Sequence, residues 1–258
     1  MFGPGSLTWR VNGEAVLLLG GGRALILQVA HPKVAAGVAE FSDYRSDPWG
    51  RLYRTLELTL AIVFGEPEAS REASRRLRRV HGRVAGNDDR GEPYRALDPE
   101  LLLWVHATLI DTSLTLYERY VAELTPRDRR LYYEEMRTLG EAYAIPRSTM
   151  PTDYAAFRRY WAEMLAGGLR VTDTTRDVAD AVLHPELPRV AWPATELLRL
   201  VTAGTLPAPL RDELGVDWGP GRERLLTGSQ AAIRRLVPLL PALLHRFPGA
   251  RRGLVRAA

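Results

Sequence analysis

Ahead of helically spaced apolar runs in its first half the chain places a capping or acidic residue directly before proline, at Asp47-Pro48, Glu66-Pro67, Asp98-Pro99 and Thr125-Pro126. Proline at the first helical position gives up only an amide that has no partner within the helix, and a side-chain oxygen just ahead of it can accept from the free amides of that turn. Each pair therefore predicts a helix start. The apolar residues that follow keep helical spacing, giving helices over 48–64 with Gly65 as stop, 66–86, 100–123 and 125 to about 143. Further helices are expected over 153–165, 174–183, 193–202, 207–214 and 229–246. Ahead of them, 1–12 reads as an entry arm and 14–29 as a buried helix ended by His31 and Pro32. Its Gly20–Gly22 triplet either kinks that helix or lets another backbone come close. Residues 34–40 are small and apolar, and 41–50 read as a long loop.

No alternating run bounded by hairpin turns occurs, and no repeat of solenoid length. The expected fold is all-α, a single multi-helical domain over 1–258.

The chain contains no cysteine, which excludes disulfides, thiolate metal sites and cysteine nucleophiles. Imidazole and carboxylate remain as ligands. Lys33 is the only lysine among 35 basic residues, and the net charge of +4 is spread along the chain. That distribution does not favour nucleic acid as a partner. The longest apolar run, 15–30, is broken by Gly20–Gly22 and Arg23, so no membrane span is expected. No export signal is read ahead of it, and the expected location is the cytoplasm.

Arg51 and Thr55 are four apart and share one helix face. In the next helix, arginines 71, 75, 76, 78 and 79 form the outer face, while Leu77, Val80, His81 and Val84 fall on the inner one. His106 lies inward with Leu102, Leu103, Leu109, Ile110 and Ser113. His31 precedes Pro32 in an apolar setting, where it can serve a turn or reach a pocket. His184 and His245 stand at helix ends, where a basic side chain suits the dipole. His81 and His106 each read either as a core histidine bonded to a carbonyl or as a metal ligand, and composition does not rank His31, His81 and His106. The chain has no HExxH, GxSxG, phosphate-loop glycine motif or paired ExxH. The glycine triplet follows no strand, so it is not a dinucleotide site.

Four blocks in order, LLGGGRALILQVAHPKVAAGV (18–38), DPWGRLYRTLELTLAIVFG (47–65), RRVHGRVAG (78–86) and LLLWVHATLIDT (101–112), resemble the MpaB-type oxygenase family. That family includes the bacterial latex-clearing protein (rubber oxygenase) and the fungal mycophenolic-acid-pathway oxygenase. The resemblance is strongest over residues 14–120. It implies an all-helical protein enclosing a haem b pocket, whose relatives use dioxygen to cleave carbon–carbon double bonds of isoprenoid chains. Carried over position by position, it makes His81 the proximal iron ligand and Arg51 and Thr55 the distal donors. Arg54 stands where the latex-clearing enzyme has a lysine able to occupy the iron. Arginine stays protonated and is a poor ligand, so that resting state is not expected. His31 and His106 belong to blocks shared with smaller bacterial relatives and are further cofactor-binding candidates.

The resulting expectation is a haem b-dependent oxygenase acting on a hydrophobic small molecule with dioxygen, such as an isoprenoid or lipid-like alkene. Two alternatives stand beside it. One is a haem-binding redox, peroxidase-like or sensor protein, its iron six-coordinate through His31 or His106. The other is a cofactor-free helical binding protein whose arginine-rich helix meets an acidic partner.

Overall fold

The computed structural model describes residues 2–42, 48–185, 192–241 and 245–251, with the side chains of 48–55 left undescribed. Proline opens α5 (Pro67–His81), α6 (Pro99–Tyr120) and α7 (Pro126–Ala142), and Thr125 and Asp128 close a reciprocal capping box ahead of the last of these. α4 runs over Pro48–Phe64, while the expected Asp47 cap lies outside the described residues. The fold is all-α.

Several boundaries differ from the sequence expectation, each for a local reason. The helix expected over 14–29 follows α1 (Leu7–Asn12) and divides into a tight turn, Ala15–Gly20, and α2, Gly21–Val29. His31 does more than end a helix: it stands at the N-cap of α3 (Pro32–Phe41). α5 stops at His81 because the chain then turns into a hairpin of β1 (Ala85–Asn87) and β2 (Pro93–Arg95), with Gly86 opposite Tyr94. Strands of three residues are too short to show alternation; only Gly91, in the left-handed region at φ 79°, marks the turn. Beyond α7 come α8 (Tyr154–Glu163), α9 (Asp173–Leu183), α10 (Trp192–Thr205), α11 (Ala208–Glu213) and α12 (Pro220–Leu236). α12 begins well ahead of the expected 229, again with proline in its first turn.

α6 is the axis of the core. It is buried around its circumference, from Leu102 and Trp104 through Ala107, Ile110 and Leu114 to Leu116 and Tyr120, which is the signature of a helix packed on all sides. Trp104 stacks on Trp161 of α8 with centroids 5.4 Å apart, and its indole N–H donates to the Leu27 carbonyl at 3.1 Å. A ring of that size is stable in the core because its one polar atom is satisfied. The glycine triplet lies at a break in the helix, and the close neighbours it admits are side chains where another backbone was expected. It marks the change from tight turn to α-helix, and it admits close neighbours: a Cβ at Gly20 would lie 2.6 Å from Thr112 Cγ2, and one at Gly22 2.5 Å from Thr202 Oγ1.

The two ends of the chain clasp each other. The Trp9 indole donates to the Ala250 carbonyl at 3.0 Å, and the Phe247 amide donates to Gly13 at 2.9 Å. His245 meets buried Glu14 at 3.1 Å, and His184 meets Asp180 at 2.8 Å. Both helix-end histidines therefore have carboxylate partners. Among the described residues no single helix is long and apolar enough to cross a membrane; 15–29 and 32–41 reach that composition only as a pair, bent by 110° at their junction.

Candidate functional site

α6 and α7 bury His106 to 2% exposure, with its Nε2 2.8 Å from the Met136 carbonyl. A carbonyl only accepts, so Nε2 carries the proton and Nδ1 keeps the lone pair. That Nδ1 is buried without a partner among the described residues. Burial pushes the imidazole pKa down to about 4 against the weaker pull of the Met136 carbonyl, so the ring is neutral. Its ring and that of Tyr143 meet in a T-shaped contact, with centroids 5.4 Å apart. The Tyr143 hydroxyl, whose pKa burial raises, is hydrogen-bonded to Thr59 of α4. Positions 51, 55 and 59 succeed one another four apart, so they share one stripe of α4. The side chains of Arg51, Arg54 and Thr55 lie outside the described residues.

α5 turns a second stripe inward. Ser70 and Ser74 are buried and Leu77 packs against the main core, with His81 seven residues after Ser74 continuing the line. Ser70 Oγ donates to the Ile62 carbonyl at 2.9 Å and ties the start of α5 to the end of α4. Val80, expected inward, is 53% exposed, because one position before His81 falls about 100° away around the helix. The arginines lie outward as expected, and Arg71, Arg75 and Arg79 are paired with Glu68 and Glu72 along the same helix. Among the described residues His81 Nδ1 is buried without a partner, and burial alone holds its pKa below the ordinary value. A neutral imidazole keeps a lone pair for a metal at neutral pH.

α4 and α5 are joined through two residues and packed along each other as a helical hairpin. With Ser70 against Ile62, position 51 lies eleven residues back along α4 and His81 eleven residues forward along α5. Equal rise per residue brings the two positions to the same level. His31 lies elsewhere, at the α2–α3 junction. It lines a cleft of about 550 Å³ with Lys33, Asp88, Glu92, Glu100 and Arg170. Its Nδ1 is also buried and unpartnered, and burial followed by the Lys33 charge lowers its pKa.

Sequence reading passed over a buried ionic network beside this site. Arg23 gives Nη2 to Asp111 at 2.7 Å, Nη1 to Thr112 at 2.6 Å and Nε to the Thr205 carbonyl at 2.8 Å. Arg158 adds a bond to the other Asp111 oxygen at 2.5 Å. The available signal was an arginine inside the 15–30 apolar run, which must find a carboxylate or leave its charge unpaired.

The family model described as "ER-bound oxygenase mpaB/B'/Rubber oxygenase, catalytic domain" matches residues 9–239. This chain belongs to that family. The match spans the core from α1 to the turn after α12, including the α4–α5 hairpin and α6. The mpaB/rubber-oxygenase family is one of oxidoreductases, and the chain is also similar to two mycobacterial proteins. An uncharacterized protein of Mycobacterium bovis and one of Mycobacterium tuberculosis are each 27% identical over 226 residues, covering 84% of this chain and 87% of the relative. No solved structure gives a significant match.

Proposed function

We propose that this chain is a haem b-dependent oxygenase in which His81 holds the iron and Arg51 and Thr55 serve the opposite side, acting on a hydrophobic alkene of isoprenoid or lipid-like character. The observation that supports it most is His81 itself: an inward, neutral imidazole with an unpartnered buried nitrogen, level with position 51 across the α4–α5 hairpin. Among the described residues no three His, Asp or Glu side chains converge as a bare ion would need. A porphyrin brings four nitrogens of its own and needs one imidazole from the protein. The donor set therefore fits haem better than a protein-only metal centre.

Haem iron, when bound, supplies the redox chemistry that activates dioxygen. The protein's part is to hold, orient and exclude. His81 offers a lone pair that burial keeps unprotonated. Arg51 and Thr55 share an α4 stripe and supply hydrogen-bond donors that stay protonated at every working pH, suited to stabilising developing negative charge on oxygen. Thr59, Tyr143 and His106 anchor the lower end of that stripe to α6 and α7. His106 also presents an unpartnered Nδ1 lone pair while its Nε2–H donates to the Met136 carbonyl; the preference for His81 rests on the family resemblance.

The absorption spectrum of the purified chain after titration with haemin tests the reading. A Soret band that forms with wild-type protein and is lost in a folded His81→Ala variant is expected, together with alkene-dependent oxygen consumption. A chain that takes up no haemin overturns it. Uptake that depends on His31 or His106 instead of His81 moves the iron to another site.

A further inference from the structure

α12 packs its Leu226 and Ile233 against the core and leaves the adjoining faces bare. Leu225 is 65% exposed, Leu236 59% and Leu239 78%, with Leu240 also exposed. Positions 225, 232 and 236 repeat at helical spacing, so Leu225, Ala232 and Leu236 form one line that Leu239 and Leu240 prolong through the turn Val237–Leu239. Beside that line, on the most outward face, lie Arg224 and Arg235, eleven apart, with Arg234 next to them and all exposed. From Pro220 onward the sequence contains eight arginines and a single acidic residue, Glu223. Glu223 accepts from the Trp218 indole at 2.8 Å, at the far end of α12 from Leu236. On α5, Arg71, Arg75 and Arg79 are matched by Glu68 and Glu72 of the same helix; α12 has only Glu223, engaged by the Trp218 indole.

We infer that α12 and the turn after it form a docking face for an anionic lipid surface. A helix lying in the interface buries leucines in the acyl boundary and sets arginines among the headgroups. The leucine line and the arginine line are adjacent, which lets one orientation satisfy both. Apolar surface alone would suit a second copy or any protein, but unneutralised arginines along the same edge repel a second copy and favour an anionic plane. Planar guanidinium groups also bind phosphate in two-pronged fashion. This inference does not depend on the haem reading.

Co-sedimentation of the full chain with vesicles tests it. Vesicles of phosphatidylcholine mixed with phosphatidylglycerol are expected to carry the protein down, pure phosphatidylcholine vesicles far less, and added salt to release it. Arg224→Gln and Arg235→Gln are each expected to weaken partition about fivefold. Leu236→Ser with Leu239→Ser, both exposed and so neutral for folding, are expected to weaken it further, with unchanged circular dichroism and thermal midpoint. Equal partition into neutral and anionic vesicles overturns the inference, as does anionic binding indifferent to these four positions. A concentration-dependent dimer in light scattering that the leucine variants abolish overturns it in favour of a second copy.

Discussion

Arg23 of α2 and Asp111 of α6 meet at 2.7 Å with side chains only 4% and 7% exposed, so an ion pair crosses the middle of the helical core. Every nitrogen of the guanidinium has an acceptor, and both carboxylate oxygens have donors. Such a pair adds little over an apolar substitute, but removing one partner strands the other charge. Asp111→Ala is expected to cost about 3–5 kcal/mol, lowering the thermal midpoint by roughly 6–20 °C for a chain of this size. Replacing both, Arg23→Met with Asp111→Leu, is expected to recover a large part of that loss. A single Asp111→Ala variant as stable as wild type would show that the pair is not maintained in solution.

His106 makes stability depend on acid. In the unfolded chain its imidazole takes a proton near 6.5, and in the folded core only near 4. The unfolded state therefore binds more protons between those values, and its contribution to stability is complete above pH 6.5, falls as pH drops towards 4 and is level below. The span corresponds to something on the order of 3 kcal/mol. Urea midpoints measured across pH 4–7 are expected to fall less steeply for His106→Gln than for wild type. Parallel curves would mean that the ring is protonated in the fold.

Much of the helical plan was legible because proline and its capping partner are local signals: Pro67, Pro99 and Pro126 start their helices where the sequence places them. The inward placement of His106 followed from periodicity in the same way. What escaped reading depends on distant chain. Nothing near Arg23 announces Asp111, eighty-eight residues away, and the β1–β2 hairpin is stabilised by packing that three-residue strands do not encode. Tyr94 of that hairpin reaches Glu40 of α3 at 3.3 Å, a partner no short-range pattern names. His81 was placed inward correctly while Val80 was not, since a stripe near a helix end narrows to whatever the next turn covers.

Gly20 is held to glycine by Thr112. A methyl group there would come within 2.6 Å of Thr112 Cγ2 and 3.1 Å of Leu116 Cγ, and Thr112 Oγ1 is also the acceptor for Arg23. Gly20→Ala is expected to destabilise by about 1–3 kcal/mol, despite alanine's better helix propensity. In a Thr112→Ser background the clashing methyl is gone and the hydroxyl remains, so the same substitution is expected to cost less. A double-mutant cycle on thermal unfolding reads the difference; strict additivity would rule out the contact as the cause.

Arg51 separates binding from chemistry in the proposed oxygenase. His81 and Arg51 stand at one level on the two helices of the α4–α5 hairpin. If Arg51 acts on oxygen, Arg51→Ala keeps the Soret band and loses alkene-dependent oxygen consumption by roughly a hundredfold, the usual effect of deleting one donor to developing negative charge. Thr55→Val is expected to follow with a smaller loss, and His81→Ala to lose the Soret band itself. Arg51→Lys restores a positive charge but not the planar donor pair, and is expected to recover only part of the rate. Full turnover in Arg51→Ala would remove that side chain from the reaction while leaving His81 as the ligand, and loss of the Soret band in the same variant would assign Arg51 to holding the cofactor.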